Sequence, residues 1–441
     1  MWLFLACTEP APEPAHTLRG AITTLDLEPV VVGEGDVVLN AAGTSLTPVV
    51  SGDIERFALH GTWTIDGASE PRLWRQGWQS WSWSGVTALD RFAMDGDFPA
   101  IGGDLDGFAT LDELDGTSWE AVGIGDDGAA AVLGARSAAT GKVWFAVDDG
   151  EIWIVWDGPF TGGPLDTVTL YDGAPIEELW ATYADDVPGR VVAEPPTGWL
   201  DWYTFYGEVT EADIAANLAL AADSGLEVLQ IDDGWERAWG DWEANDDFPS
   251  GMSSVALSIM SAGLRPGLWM APLLVSRDSD TYAAHDDWWV RDASGAELTD
   301  RACDCATLDI TQPAAAAWIT SVIADRTSDG YTWLKLDFLY AGAREGVRYE
   351  DINGAEAYAR ATSLLRAAAG ENTWIVACGA PMLPSVGFAD SFRSGADIAF
   401  SALPDPDLAF LRWQARSTAA RGWARSEEHT SELQSPCNLV C

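Results

Sequence analysis

Tyr331-Thr-Trp-Leu-Lys-Leu-Asp-Phe338 reads as a short apolar strand that ends on a carboxylate. Residues two apart on a strand face the same side, so Lys335 and Asp337 point together. The chain of 441 residues holds two lysines, Lys142 and Lys335, and one of them stands here in a segment otherwise fit for burial. A charge carried into a core is paired or used, because desolvating it alone is costly. A structural ion pair would satisfy that rule. So would a catalytic carboxylate kept ionised by a neighbouring cation. The flanking sequence decides between them.

Working outward, strands and helices alternate. Apolar strands are predicted at 198–203, 227–232, 265–272, 331–338, 373–379 and 391–398. The helix between the first two starts at Thr210, with Asp213 in the capping-box position and Ile214, Leu218 and Ala221 at helical spacing. This alternation reads as a (β/α)8 TIM-type barrel. Carboxylates recur at the strand ends: Asp201, Asp232, Asp233, Asp337 and Asp397. In such barrels that rim is the catalytic face. One strand-end Asp is commonly a helix cap, but five on one rim are not well explained that way.

The chain before the barrel is different. Segments such as Arg56-Phe-Ala-Leu-His-Gly-Thr-Trp-Thr-Ile65 and Glu151-Ile-Trp-Ile-Val-Trp156 are β-branched and aromatic, and no helical period persists. An antiparallel β-sandwich is expected over 18–185, with the aromatic cluster Trp74-Arg-Gln-Gly-Trp-Gln-Ser-Trp-Ser-Trp83 inside it. The barrel is expected over 190–425. Its predicted strands stop at about six where closure needs eight, so it reads as truncated. Residues 426–441 break in composition from the body and read as a non-native tail. Residues 1–17 combine an apolar run ending at Cys7 with a Pro/Glu tether, which reads as a bacterial lipoprotein leader. The expectation is an exported, periplasmic or cell-surface protein with a lipid anchor at Cys7; a cytoplasmic chain with an incidental Cys7 is the alternative.

A net charge of -45 argues against a nucleic-acid partner, which needs a basic face. Six cysteines include no CxxC pair, and the four histidines do not cluster with them, so no metal or other cofactor is expected. Cys303 and Cys305 are too close in sequence for an ordinary relaxed disulfide and are expected as thiols. Many carboxylates, with no Ser-His pair and no phosphate loop, point to glycoside hydrolysis by two carboxyl groups. One attacks the sugar carbon; the other protonates the leaving oxygen and then activates water. Asp337 beside Lys335 suits the first role. Asp397, in Arg393-Ser-Gly-Ala-Asp397, suits the second.

These motifs, in order, resemble the α-galactosidases of glycoside hydrolase family 36, the melibiases. The resemblance covers roughly 198–400. It rests on Trp199-Leu-Asp-Trp-Tyr203, Gln230-Ile-Asp-Asp-Gly-Trp235, Gly240-Asp-Trp242 before Asp247-Phe-Pro249, and Gly267-Leu-Trp-Met-Ala-Pro272. It continues through Leu308-Asp-Ile-Thr311, Lys335-Leu-Asp-Phe338, Cys378-Gly-Ala-Pro381 and Arg393-Ser-Gly-Ala-Asp397. Several family members have Arg-Ile-Gly-Pro-Asp at the last motif; the Arg, Gly and Asp stay in step here. The resemblance implies a retaining hydrolase that releases terminal α-linked galactose from oligosaccharides. It implies Asp337 as nucleophile and Asp397 as acid/base, Asp232 and Asp233 on the 4- and 6-hydroxyls, and Lys335 on the 3- and 4-hydroxyls. Cys378 and Arg393 would face the 2-hydroxyl. Trp202, Trp242, Trp269 and a loop tryptophan, Trp78 or Trp81, would line the pocket. A galactosyltransferase of the raffinose/stachyose-synthase type, a related glycosidase acting on N-acetylgalactosaminides, and a non-catalytic carbohydrate-binding lipoprotein are the competing readings.

Overall fold

The computed structural model describes residues 16–89, 117–187, 189–190, 196–300, 303–395 and 415–424, with 94–95 and 98–99 described as backbone alone. Cys7, the leader, Asp397 and the 426–441 tail lie outside the described residues.

The N-terminal part is one large antiparallel sheet of 11 strands among the described residues. Two long strands, Thr23–Ala42 and Ser45–Ile65, pair along nearly their whole length, and the second also pairs with Glu151–Pro164. Alternating apolar and polar residues do not describe the centre of this sheet. Lys142–Val147 and Ala130–Ala135 are buried at every position, so their apolar runs are core on both faces. One expectation fails here. Ile176–Asp186, inside the span read as all-β, is an α-helix. Its signals are present: Pro175 at the cap, Glu177 and Glu178 in the first turn, and Ile176, Leu179, Tyr183 and Ala184 buried at helical spacing. The helix lies on the sheet, with Tyr183 Oη donating to the Ala135 carbonyl at 2.9 Å.

The second part is a parallel sheet of six strands in chain order among the described residues: β1 (Gly198–Leu200), β2 (Val228–Ile231), β3 (Arg265–Met270), β4 (Trp333–Leu336), β5 (Trp374–Ala377) and β6 (Ser391–Phe392). Every neighbouring pair is parallel. The strands fall where the apolar runs predict them. The helices between them are α1 (Glu211–Asp223), α2 (Met252–Ser261), α3 (Pro313–Ser328) and α4 (Gly354–Ala369). The Thr210 capping box forms as the sequence predicts: each of Thr210 and Asp213 accepts from the other's backbone amide, at 3.2 and 3.1 Å. Such a cap contributes about 1 kcal/mol.

The two parts share one core. Lys142, on the antiparallel sheet, crosses to Glu345 at 2.5 Å and lies 5.7 Å over the Trp78 ring. Loop 76–83 reaches the parallel sheet. Ser80 donates its amide to the Ala380 carbonyl at 2.8 Å, and the Met382 amide donates to the Trp78 carbonyl at 3.1 Å. Cys303 and Cys305 are joined as a disulfide rather than left as thiols. Asp304 between them sits at φ +51°, and this left-handed kink brings the two Cα atoms to 5.2 Å.

Candidate active site

Five of the six parallel strands deliver a polar side chain just past their C-terminal ends; β3 runs on into Ala271 and Pro272. Asp201 follows β1, Asp232 and Asp233 follow β2, Asp337 follows β4, Cys378 follows β5, and Arg393 follows β6. Register fixes their neighbours. Lys335 on β4 lies level with Trp269 on β3 and Val376 on β5. A cavity of about 170 Å³ opens at this end. Its walls include Asp232, Asp233, Lys335, Asp337 and Arg393, with Trp81, Trp202, Trp239, Trp269 and Phe338 as the aromatic part.

Asp337 is buried and fixed. One oxygen accepts from Trp269 Nε1 at 3.0 Å, the other from the Phe338 amide at 2.8 Å. Phe338 itself adopts φ +53°, a left-handed conformation that is uncommon for a residue other than glycine. Backbone strain of this kind clusters at functional positions.

Across the cavity Asp232 Oδ2 accepts from Lys335 Nζ at 3.0 Å and from Gln230 Nε2 at 2.7 Å. Burial pushes the Asp232 carboxyl up to about 6; Lys335 acts against that and the nearby Asp337 charge adds to it. Beneath it Asp201 accepts the Asp232 amide at 2.7 Å. Burial, then the charge of Asp232, holds Asp201 well above the usual carboxylate range. Asp233 accepts from Trp239 Nε1 at 2.9 Å. Glu236 is buried against Asp233, and burial, then that contact, holds its carboxyl well above the usual range. A protonated Glu236 can therefore donate to Asp233 rather than repel it.

The structure does not bring every predicted residue to the cavity. Trp81 lines it, whereas Trp78 packs 6.1 Å from Trp119 beneath Lys142. Trp242 lies one layer behind, its ring 6.3 Å from Trp269 and 6.2 Å from Trp235, and borders a separate surface cleft with Trp318. Cys378 is fully buried under Trp81, whose Nε1 points at its sulfur at 3.3 Å; Arg393 Nη1 is 3.7 Å from the same sulfur. Two wall residues went unread in the sequence. Trp239 stands at the turn between the short strands Glu236–Ala238 and Asp241–Ala244, followed by Gly240 at φ +109°. An aromatic beside a turn glycine, just after a strand-end Asp pair, was its available signal. Phe338 was visible only as the residue after Asp337.

A parallel sheet whose strand ends converge buried carboxylates, a lysine and tryptophans on one sugar-sized cavity defines a carbohydrate-active class. The family described as melibiase matches residues 194–339. The α-galactosidase TtGalA of Thermus thermophilus, solved with p-nitrophenyl α-D-galactopyranoside, is 30% identical over 93% of this chain and 82% of its own, with a TM-score of 0.72. The chain belongs to the melibiases, the α-galactosidases of glycoside hydrolase family 36. α-Galactosidase AgaA of Geobacillus stearothermophilus is 34% identical over 150 residues, and its crystal structure superposes with a TM-score of 0.58 at 14% identity. That sequence match spans 20% of AgaA's own length and 31% of this chain.

Proposed function

We propose that the protein releases terminal α-linked galactose from oligosaccharides with net retention, using Asp337 as nucleophile and Asp397 as acid/base. The observation that carries this reading is the setting of Asp337. Its carboxylate is held by Trp269 and by its own following amide, in the wall of a cavity that also presents the Lys335–Asp232 pair. A nucleophile held in one orientation by two donors needs no reorganisation before attack. Asp232, Asp233 and Lys335 are charged groups suited to strong hydrogen bonds with sugar hydroxyls. Trp81, Trp202 and Trp239 offer apolar ring faces to C–H groups of the sugar. TtGalA has also been solved with stachyose, an oligosaccharide of the class proposed here as substrate. The reading takes the six parallel strands as part of a (β/α)8 barrel and the antiparallel part as a sandwich packed on it.

In the first step Asp337 attacks the anomeric carbon while the acid/base protonates the departing oxygen. In the second, the acid/base deprotonates a water that displaces Asp337. Asp397 takes the acid/base role from its place in Arg393-Ser-Gly-Ala-Asp397, four residues after Arg393. Asp337→Gly should abolish turnover of an aryl α-galactoside, and azide should restore it with β-galactosyl azide as product. An α-configured azide, or turnover that survives the substitution without azide, would remove Asp337 from the nucleophile role.

A further inference from the structure

Arg421 lies in the helical segment 415–424 and is fully buried, yet among the described residues no carboxylate oxygen accepts from its guanidinium. Its donors go instead to four backbone carbonyls. Nη1 donates to Ser80 at 2.6 Å and to Ser394 at 3.0 Å; Nη2 donates to Gln79 at 2.9 Å and to Ser82 at 2.8 Å. Three of the four acceptors come from one bend of loop 76–83, and Trp81 stands inside that bend. The fourth belongs to the residue after Arg393, another wall residue of the cavity. The same seam carries further bonds. Gln76 Nε2 donates to the Ala420 carbonyl at 2.8 Å, the Ser84 amide to Ser417 Oγ at 3.2 Å, and the Ser394 and Thr418 hydroxyls meet at 2.7 Å. Burial draws Arg421 down to about 9, with Glu120 pulling the other way, so it stays charged at neutral pH.

We infer that Arg421 is a positioning residue for the sugar cavity: its planar fork closes loop 76–83 around itself and so sets where Trp81 stands. A lysine cannot replace it, since an ammonium group carries three tetrahedral donors and no fork. The path from Arg421 to the cavity is short. The bend fixes the Trp81 backbone, and the Trp81 ring packs edge-on against Phe338 at 5.0 Å and covers Cys378. Without the fork the bend opens, the ring leaves the wall, and the thiol beneath is uncovered.

This inference rests on the proposed galactosidase reading for its meaning, but its test does not. Cys378 is fully buried, so its labelling by a maleimide, located by mass spectrometry on the peptide that bears it, reports the loop directly. Arg421→Met and Arg421→Lys should each label at least about tenfold faster than wild type under native conditions, as expected when charged hydrogen bonds closing a local unit are lost. Leu59→Ala, in the antiparallel core, provides a general destabilisation control and should leave the labelling rate near wild type. Gln76→Ala cuts the seam from the loop side and carries the test if Arg421→Met fails to fold. On an aryl α-galactoside, Arg421→Lys should raise KM by about tenfold and move kcat by less than about threefold, the pattern of a lost binding wall. Labelling no faster in Arg421→Lys and Gln76→Ala than in Leu59→Ala would overturn the inference. Faster labelling of the Arg421 variants, together with a wild-type protein that hydrolyses no α-galactoside, would support the loop role while refuting the galactosidase reading.

Discussion

Lys335→Met should cost stability in a way that depends on pH, because Asp232 is the group left facing the vacancy. Lys335 Nζ lies 3.0 Å from Asp232 Oδ2, with both side chains at least 95% buried. With the lysine present Asp232 titrates at about 6, burial raising it and Lys335 acting against that. An Asp in the unfolded chain titrates near 3.9. A carboxyl raised by folding contributes stability that is fully present below the unfolded value and is lost as pH rises toward the folded one. In wild type that loss levels off near pH 6, where Asp232 ionises. Without Lys335, and with Asp337 still beside it, Asp232 ionises at a higher pH and the loss runs on. At pH 5 Asp232 is largely neutral in both folded proteins, so its titration adds little to their difference. At pH 8 the variant has gone on losing stability past the wild-type plateau, on the order of a few kcal/mol.

The assay is a set of thermal midpoints at pH 5 and pH 8 for wild type, Lys335→Met, Asp232→Asn and the double variant. The gap between wild type and Lys335→Met should widen by roughly 5–10 °C between the two pH values if the parallel-sheet part melts as a unit of 150–250 residues. On the Asp232→Asn background nothing is left to titrate at that position, so the cost of Lys335→Met should be the same at both pH values. A gap that does not widen would refute Asp232 as the partner that Lys335 holds charged. Widening that persists with Asn at 232 would assign the effect to another group.

Two further outcomes are expected. Trp239→Phe keeps a ring against Trp269 and Phe338 but removes the bond to Asp233, so kcat/KM should fall about ten- to a hundredfold; a change within about twofold would deny Trp239 that role. Glu120 is buried and pushed up to about 8 by that burial, with the Leu383 amide and Arg421 acting against it. Its raised value means stability lost as pH rises from about 4.5 to about 8, so Glu120→Gln should gain on wild type by a few kcal/mol across that window; parallel stability curves would show that Glu120 does not titrate there.

What the sequence made legible, and what it hid, follows from how far apart the partners of each residue lie in the chain. Strand positions were readable because apolar runs and their terminal carboxylates are local signals, and once parallel topology is assumed those carboxylates must share an edge. Lys335 and Asp337 could be paired in thought because two residues on a strand always share a face. The long-range contacts were not readable in this way: Lys335 bonds to Asp232, 103 positions away, and Asp337 accepts from Trp269 on the strand alongside. Spacing gave the face and could not give the partner. Trp78 and Trp81 lie in the same aromatic run, and only the bend around a guanidinium some 340 positions later separates the one that packs under Lys142 from the one that meets the cavity. The helix at Ile176–Asp186 was a local miss, since its cap and period were present and the surrounding β composition outweighed them. Arg421 was a different kind of miss. In sequence it is one arginine in a short Ala-rich stretch, and a residue whose acceptors among the described residues are backbone carbonyls leaves no complementary side chain for a pattern to pair it with. Side-chain chemistry at strand ends is therefore written where it can be read, whereas the bonds that aim it are made to the backbone and appear only once the chain has folded.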